Sequence, residues 1–210
     1  MKPPVTIEIP KLLSKEPYKK VTVTEDGITI DTPPNGNPVV IPADELLAFR
    51  FSFKGIRGRA FIIGRHFTIE LKTIHKKSVI LKFSSYYGLR KKVYSKNWAD
   101  TVNGIWEYFF SKRHTELYKR FKAGESFELC GMDFGKDSIG WENKIWLNIQ
   151  DVGISYYRHY FMVYNKQDKN QQKGYAYAQD WNALVLKYLL KTITEAYQTE
   201  SSGTISTVRS

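Results

Sequence analysis

Two short stretches of this sequence concentrate basic side chains whose chemistry suits anion binding. The first lies at 54–65, twelve residues without an acid, and the second directly follows a Tyr-Tyr-Gly-Leu sequence. Lys ammonium and Arg guanidinium groups donate charge-assisted hydrogen bonds to phosphate or carboxylate oxygens. The two stretches therefore predict an anion-binding site. Its candidate residues are Lys54, Arg57, Arg59, Arg65, Arg90, Lys91 and Lys92.

The distribution of charge along the chain supports an anionic partner. Residues 1–122 contain 23 Lys and Arg against 11 Asp and Glu, a net charge of +12, whereas residues 123–210 contain 9 against 10, a net charge of −1. A basic surface attracts an anionic membrane at ~1 kcal/mol per basic residue, or an acidic protein. Non-specific nucleic-acid binding by the same patch is the alternative. A solvated face that only maintains solubility also stays open.

The sequence predicts no catalytic residue, no metal site and no cofactor, so we expect a binding protein rather than an enzyme. No P-loop, GxGxxG or HExxH motif occurs. The single cysteine, Cys130, stands in an apolar, strand-like context, which is typical of a buried and inert thiol. The four histidines show no i, i+4 pairing that would suit a metal; they are His66, His75, His114 and His159.

Two further sequence features near the basic residues are better explained by the fold than by ligand binding. The sequence Gly-Ile-Arg-Gly at 55–58 matches the GxxG spacing of a nucleotide-clamping loop, but that loop needs flanking helices, and its neighbours here have strand character. We therefore predict a hairpin turn. Four aromatic residues alternate as strand residues do, which favours core positions over base stacking. They are Phe51, Phe53, Phe61 and Phe67.

Two tryptophan-containing phrases, 83 residues apart, predict amphipathic helices. The stretches "NWADTVNGIWEYFF" at 97–110 and "DWNALVLKYLL" at 180–190 repeat apolar residues at helical spacing. Asn97 and Asp180 stand where N-caps belong, so we expect helices that begin near Trp98 and Trp181. The first is predicted to run for about 25 residues and to stop at Gly124, because glycine commonly ends helices.

Short strands precede each helix, and they align between the two halves. Asp26-Gly27-Ile28 corresponds to Asp137-Ser138-Ile139 at an offset of 111, while the helices correspond at 83. The first half therefore contains extra residues, most of them after Leu46, in an interval that includes the basic sequence "FKGIRGRAFIIGR". We predict that this basic segment is an addition to a common unit. A polar turn at His75-Lys76-Lys77 is predicted between two later strands.

This organisation resembles the tandem pleckstrin-homology-like (PH-like) proteins of bacteria. The resemblance rests on "DGI", "IPADELLAF", "GRHFTIELK" and "SVILKF" in the first half, and on "GMDFGKDSIGWENKIWLNI" in the second. It implies a mainly β (α+β) fold of two PH-like units, each an antiparallel sheet or open barrel closed by a C-terminal helix. It supplies no catalytic signature. The predicted divisions are an N-terminal arm (1–17), a first unit (18–122), a second unit (123–198) and a disordered tail (199–210).

Composition and cysteine usage indicate a cytoplasmic protein that can lie peripherally at a membrane. No apolar run approaches the ~18–20 residues that cross a bilayer. Pro3 and Pro4 stand where a secretory signal would have its apolar core, so no signal peptide is predicted. One cysteine excludes an internal disulfide.

Overall fold

The computed structural model describes residues 2–32, 36–75, 78–142 and 145–205. The chain is mainly β and divides into two compact units, Met1–Lys112 and Arg113–Ser210. Its strands form four antiparallel sheets, and none of these closes into a barrel within the described residues. No helix in this part of the chain combines the length and apolar character needed to span a membrane.

Unit 1 contains a four-stranded sheet, a three-stranded sheet and a helix, in that order. The first sheet consists of β1 (Val5–Pro10), β2 (Pro17–Val23), β3 (Gly27–Asp31) and β4 (Val39–Pro42). After a 3₁₀ turn at Ala43–Glu45, the second consists of β5 (Leu46–Arg57), β6 (Ile62–Thr73) and β7 (Ser78–Tyr86). Helix α1 (Lys91–Ile105) follows and continues into a π-helical turn at Trp106–Phe110.

Alternating apolar residues build the core of unit 1. Successive side chains of a strand point to opposite faces, so every second residue can be buried. Ile7 and Ile9 of β1 are buried in this way, as are Val21 and Val23 of β2. The sheets and α1 enclose larger side chains, and these include Phe49, Phe67, Ile69, Leu71, Leu81, Phe83, Tyr94, Ile105 and Phe110.

Polar side chains of α1 bind the outer edge of β1. As the first strand of its sheet, β1 pairs with β2 alone, which leaves its other edge without a strand partner. Asn97 Nδ2 donates to the carbonyl oxygen of Glu8 at 2.8 Å, and the Tyr94 hydroxyl donates to that of Pro10 at 2.8 Å. Covering an exposed edge in this way prevents pairing with another chain.

Residues 5–10 therefore belong to the sheet of unit 1 rather than to a separate N-terminal arm. The arm predicted at 1–17 is in fact β1 followed by the loop that connects it to β2. The prolines of this region suggested an arm outside the sheet, but proline is tolerated at strand ends and on edge strands. Pro10 ends β1 and Pro17 begins β2, where the pairing is already irregular.

Unit 2 begins within a second helix and then has a four-stranded sheet, a three-stranded sheet and a further helix, with no strand longer than its counterpart in unit 1. The chain passes through α2 (Ser111–Lys122) into a four-stranded sheet of β8 (Phe127–Leu129), β9 (Met132–Gly135), β10 (Ser138–Trp141) and β11 (Ile145–Asn148). A 3₁₀ turn at Ile149–Asp151 leads to a three-stranded sheet of β12 (Val152–Tyr156), β13 (Tyr160–Asn165) and β14 (Gln172–Ala176). Helix α3 (Ala183–Ile205) follows.

The correspondence predicted between the halves is present in the strands. Gly27-Ile28 opens the third strand of its sheet, and Ser138-Ile139 opens the third strand in unit 2. Gly27 is required there because a Cβ would lie 2.3 Å from the carbonyl oxygen of Ile41. The extra residues of the first half also lie where they were predicted. Strands β5 and β6 have 12 residues each, against 5 and 6 in β12 and β13.

The helices are where the tryptophan phrases predicted them, but one starts earlier than expected. Helix α1 begins at Lys91, so Asn97 lies inside the helix and binds β1 instead of capping. Helix α3 begins at Ala183, and Asp180 accepts a hydrogen bond from the Ala176 amide at 2.7 Å in the preceding turn. The predicted stop at Gly124 is confirmed, since α2 ends at Lys122 and Gly124 has a φ of 75°.

Two boundaries differ from the predicted ones. The division between the units lies after Lys112, within the helical stretch rather than at 122–123. Residues 199–205, predicted as part of a disordered tail, continue α3, while 206–210 lie outside the described residues. A segment poor in apolar residues can extend a helix once the preceding turns are held by packing.

Candidate anion-binding surface

The first basic stretch lies on a hairpin that extends beyond the rest of its sheet. β5 pairs with β6 as far as Arg57 and Ile62, with an irregularity between Ile56 and Arg57. β7 pairs with β6 only from Gly64 onward. Residues 57–62, which we name the hairpin tip, therefore have no third strand beside them. The Gly58 amide donates to the carbonyl oxygen of Phe61 at 2.8 Å and closes the tip.

The four basic residues of this stretch do not form one cluster. Lys54, Arg57 and Arg59 are exposed. Arg65 is half-buried, and its guanidinium carbon lies 5.4 Å from the centre of the Phe53 ring. Residues opposite one another in an antiparallel pair share a face. Lys54 is opposite His66, next to Arg65 in the chain, so Lys54 and Arg65 are on opposite faces of the hairpin.

Arg90 is occupied by a structural role. It precedes α1 with a φ of 58°, in the left-handed region. Its Nη2 donates to the carbonyl oxygen of Ser14 at 2.9 Å, and its Nε donates to that of Leu12 at 3.4 Å. The side chain thus holds the loop between β1 and β2. Of the second basic run, only Lys91 and Lys92 are exposed and available to a ligand.

Lys91 and Lys92 raise the positive potential at the beginning of α1. The first turn of the helix is Lys91-Lys92-Val93-Tyr94. The backbone dipole places partial positive charge at a helix N-terminus, where acidic side chains are favourable and basic ones are not. The two lysines therefore reinforce that charge instead of compensating it. Lys76 and Lys77 of the predicted polar turn lie outside the described residues.

Almost no acid offsets the positive charge of this region. Residues 46–99 contain thirteen Lys and Arg and one acid, Glu70. Arg50 Nη2 lies 2.6 Å from Glu70 Oε2, so the single carboxylate is already paired. His66 Nδ1 lies 2.6 Å from Ser84 Oγ, and burial, with Lys82 second, lowers the pKa of His66. At neutral pH the His66 imidazole is therefore uncharged and adds nothing to the positive charge of this surface.

The hairpin tip also exposes two apolar side chains, of which the sequence interpretation placed Phe61 in the core. Phe61 is 66% exposed and Ile62 is 68% exposed. The core prediction is confirmed for Phe67, which is buried, whereas Phe51 and Phe53 are half-buried against Trp98, each at 5.4 Å between ring centres. Strand alternation predicts which residues share a face, but it does not predict where the covering helix and the third strand end.

Tyr87 lies beside the hairpin tip. Its backbone amide donates to the carbonyl oxygen of Ile63 at 2.7 Å, and its side chain is 75% exposed. Gly64 permits this approach, because a Cβ at that position would lie 2.4 Å from the carbonyl oxygen of Ser85. The turn that leads into α1 and the hairpin tip are therefore held next to one another.

The alternative sites considered from the sequence have structural explanations. Gly55 lies in β5 and Gly58 at the tip, so the Gly-Ile-Arg-Gly sequence is strand and turn, without flanking helices. Cys130 forms a turn with Gly131, at φ values of 58° and 68°, rather than a strand. Its thiol donates to the carbonyl oxygen of Trp181 at 2.9 Å, and burial raises its pKa to about 12. At neutral pH it stays protonated.

The histidines have separate surroundings. His114 Nε2 lies 3.2 Å from Thr192 Oγ1, and the exposed His75 lies 3.6 Å from a Glu45 carboxylate oxygen. Among residues 2–32, 36–75, 78–142 and 145–205, no group of three His, Cys, Asp or Glu side chains is arranged to hold a metal ion.

One charged cluster in unit 2 was not predicted from the sequence. Lys187 Nζ lies 5.3 Å from the ring centres of Tyr156 and Tyr188 and 5.8 Å from that of Tyr177. Burial, with Lys191 second, lowers the pKa of Lys187. The tyrosines come from three separate elements, so only the pair Lys187-Tyr188 could have been read from the sequence. The rings stabilise this cation through their negative faces.

Comparisons with known proteins add little to this description. No protein-family model and no curated protein matches the chain. Among solved structures, the chain is similar to a chain of the Spt16D–Pob3N heterodimer, with 12% identity over 84% of this chain and 97% of that chain, at a TM-score of 0.28. That TM-score is too low for the match to bear on the fold or function of the protein.

Proposed function

We propose that the protein is a non-catalytic binding protein built of two PH-like units, and that unit 1 attaches it to an anionic surface. The order of elements supports the PH-like part. In each unit a four-stranded antiparallel sheet, a 3₁₀ turn and a three-stranded antiparallel sheet precede a helix. The surroundings of Cys130 support the non-catalytic part, because a thiol that stays protonated is a poor nucleophile.

One observation carries the choice of partner. Between residues 46 and 99 the single acid is paired, while Lys54, Arg57 and Arg59 on the hairpin and Lys91 and Lys92 on α1 are exposed. A surface with an excess of one charge sign attracts ligands of the opposite sign, so these exposed basic groups favour an anionic partner. Anionic lipid headgroups are the partner we favour. An acidic protein and a nucleic acid are the competing partners.

Co-sedimentation with vesicles tests the proposal. The protein is mixed with phosphatidylcholine vesicles with and without phosphatidylserine, and in parallel with double-stranded DNA and with polyglutamate. We expect binding that increases with the phosphatidylserine content and decreases with salt, because exposed charges are screened over a Debye length of about 10 Å at 0.1 M. A shift of DNA with no vesicle binding would establish the nucleic-acid alternative instead.

A matched pair of variants shows whether the named residues are responsible. Arg57→Ser with Arg59→Ser removes two exposed charges from the hairpin tip. Lys136→Ser with Lys169→Ser removes two exposed charges from unit 2. The first double variant should lose most of the vesicle binding and the second should retain it. Equal losses would mean that net charge alone drives the association.

A further inference from the structure

We propose that the hairpin tip inserts Phe61 and Ile62 into the acyl boundary of an anionic bilayer. This inference rests on the proposed attachment to an anionic surface and specifies how the protein attaches. The side chains of Phe61 and Ile62 are about two-thirds exposed at the end of a two-stranded projection. Exposure of these two apolar side chains to water is unfavourable. Their transfer to an apolar phase lowers the free energy in proportion to the area removed from water.

The position of the apolar pair suits insertion. Arg57 is paired with Ile62 across the hairpin, and Arg59 lies two residues before Phe61 in the closing loop. Guanidinium groups at this spacing can contact headgroup phosphates while the neighbouring side chains enter the layer beneath. Tyr87, held next to the tip by its bond to Ile63, adds an aromatic ring of the kind that favours the membrane interface.

The backbone of the tip is compatible with the edge of a bilayer. An unpaired amide or carbonyl group is unfavourable in hydrocarbon. Here the Gly58 amide and the Phe61 carbonyl already bond to one another, and the Arg57–Ile62 pair continues the ladder. The loop residues Arg59 and Ala60 stand outside that pairing. A shallow insertion that leaves these two residues among the headgroups meets this requirement.

The chemistry of the pair favours a bilayer over the other anionic partners. Proteins bind nucleic-acid bases by stacking aromatic rings on them, and an aliphatic side chain cannot stack in this way. Ile62 is as exposed as Phe61. A bilayer interior accepts both side chains equally, because the gain depends on apolar area rather than on ring stacking. An acidic protein would need a dedicated apolar pocket beside its carboxylates.

The test separates insertion from electrostatic attachment. Phe61→Ser with Ile62→Ser removes the apolar tip and keeps every charge. Val40→Ser with Ile80→Ser is the matched control, because both residues are exposed strand residues of unit 1, at 59% and 55%, away from the tip. We expect the tip variant to lower the partition coefficient onto phosphatidylserine vesicles by about tenfold or more, and the control to leave it unchanged.

A spectroscopic measurement checks the location directly. Phe61→Trp should add fluorescence that shifts to shorter wavelength on the vesicles and is quenched by brominated acyl chains, relative to the wild-type protein. Ile80→Trp should add fluorescence that does neither. Circular dichroism and thermal unfolding of every variant establish that the fold is retained.

Each outcome decides the proposal. If the tip variant binds as the wild type does while the Arg57→Ser/Arg59→Ser variant does not, attachment is purely electrostatic; insertion is then refuted and the proposed function stands. If the wild type binds DNA or polyglutamate but no vesicles, both the insertion and the lipid partner are refuted. If the Val40→Ser/Ile80→Ser control loses as much binding as the tip variant, insertion at the tip is also refuted.

Discussion

The guanidinium carbon of Arg65 lies 5.4 Å from the centre of the Phe53 ring. This contact distinguishes Arg65 from its exposed neighbours on the same hairpin. A cation over an aromatic face stabilises by about 0.5–1 kcal/mol at exposed sites, and the apolar stem of arginine adds packing. Arg65 therefore contributes to the fold of unit 1 in addition to its charge.

We accordingly expect Arg65→Ser to lower the free energy of unfolding by about 1 kcal/mol. Arg57→Ser with Arg59→Ser should change it by less than about 0.5 kcal/mol, because exposed residues without packing contribute little. Urea denaturation of the three proteins measures both values. Equal stabilities of the two variants would contradict a packing role for Arg65.

Arg90 and the two lysines that follow it should respond to substitution in opposite directions. Arg90→Ala removes the hydrogen bonds to the Leu12 and Ser14 carbonyl oxygens and should destabilise the protein by about 1–2 kcal/mol. Lys91→Ala with Lys92→Ala removes unfavourable charge at a helix N-terminus and should stabilise it by about 0.3–1 kcal/mol. Thermal unfolding gives the order of stability.

The same lysine variant should bind anionic vesicles less tightly than the wild type. A gain in stability combined with a loss of binding is typical of residues that are kept for ligand binding at a cost to the stability of the fold. Unchanged binding to vesicles would show that the lysines do not belong to the binding surface, and a loss of stability would contradict their unfavourable position at the helix N-terminus.

The two buried tyrosines Tyr175 and Tyr94 form a matched pair for a hydrogen-bond test. Within the described residues, the buried hydroxyl of Tyr175 has no hydrogen-bond partner, whereas that of Tyr94 donates to the Pro10 carbonyl oxygen at 2.8 Å. Tyr175→Phe should raise the free energy of unfolding by about 1 kcal/mol, and Tyr94→Phe should lower it by a similar amount. Destabilisation by Tyr175→Phe would indicate an ordered water at that hydroxyl.

Cys130 should resist thiol reagents in the folded protein and weaken the fold at alkaline pH. Burial raises its pKa from 9.0 to about 12. Below pH 9 the thiol is protonated in both the folded and unfolded states, so its contribution to stability is fully present. Between about pH 9 and pH 12 the unfolded thiol ionises first, so that contribution is lost as pH rises.

Denaturation at a series of pH values, compared with Cys130→Ala, isolates this contribution from that of Tyr18 and Tyr177. Burial raises the pKa of both phenols to about 12, so they also lower stability as pH rises, starting near pH 10. The alanine variant should lose less stability than the wild type between pH 9 and pH 10. Rapid labelling of native Cys130 at neutral pH would contradict the raised pKa of its thiol.

The sequence by itself determined the local elements and the distribution of charge. The Asp26-Gly27 turn, the tryptophan helices and the stop at Gly124 each depend on short-range physics: turn chemistry, helical periodicity and glycine in the left-handed region. The basic excess of the first half is likewise a property of composition. The longer first copy was predicted because an offset between repeats can be counted without knowing the fold.

Tertiary structure alone decided what each residue of the basic surface does. Arg90 and Lys91 are neighbours in the chain, yet one binds the Ser14 carbonyl oxygen and the other is exposed. Phe61 follows the strand alternation that buries Phe67, yet β7 pairs with the hairpin only as far as Gly64 and leaves the tip uncovered. Burial depends on where neighbouring elements end, and the partners that define those ends are distant in sequence, so a local pattern does not contain them.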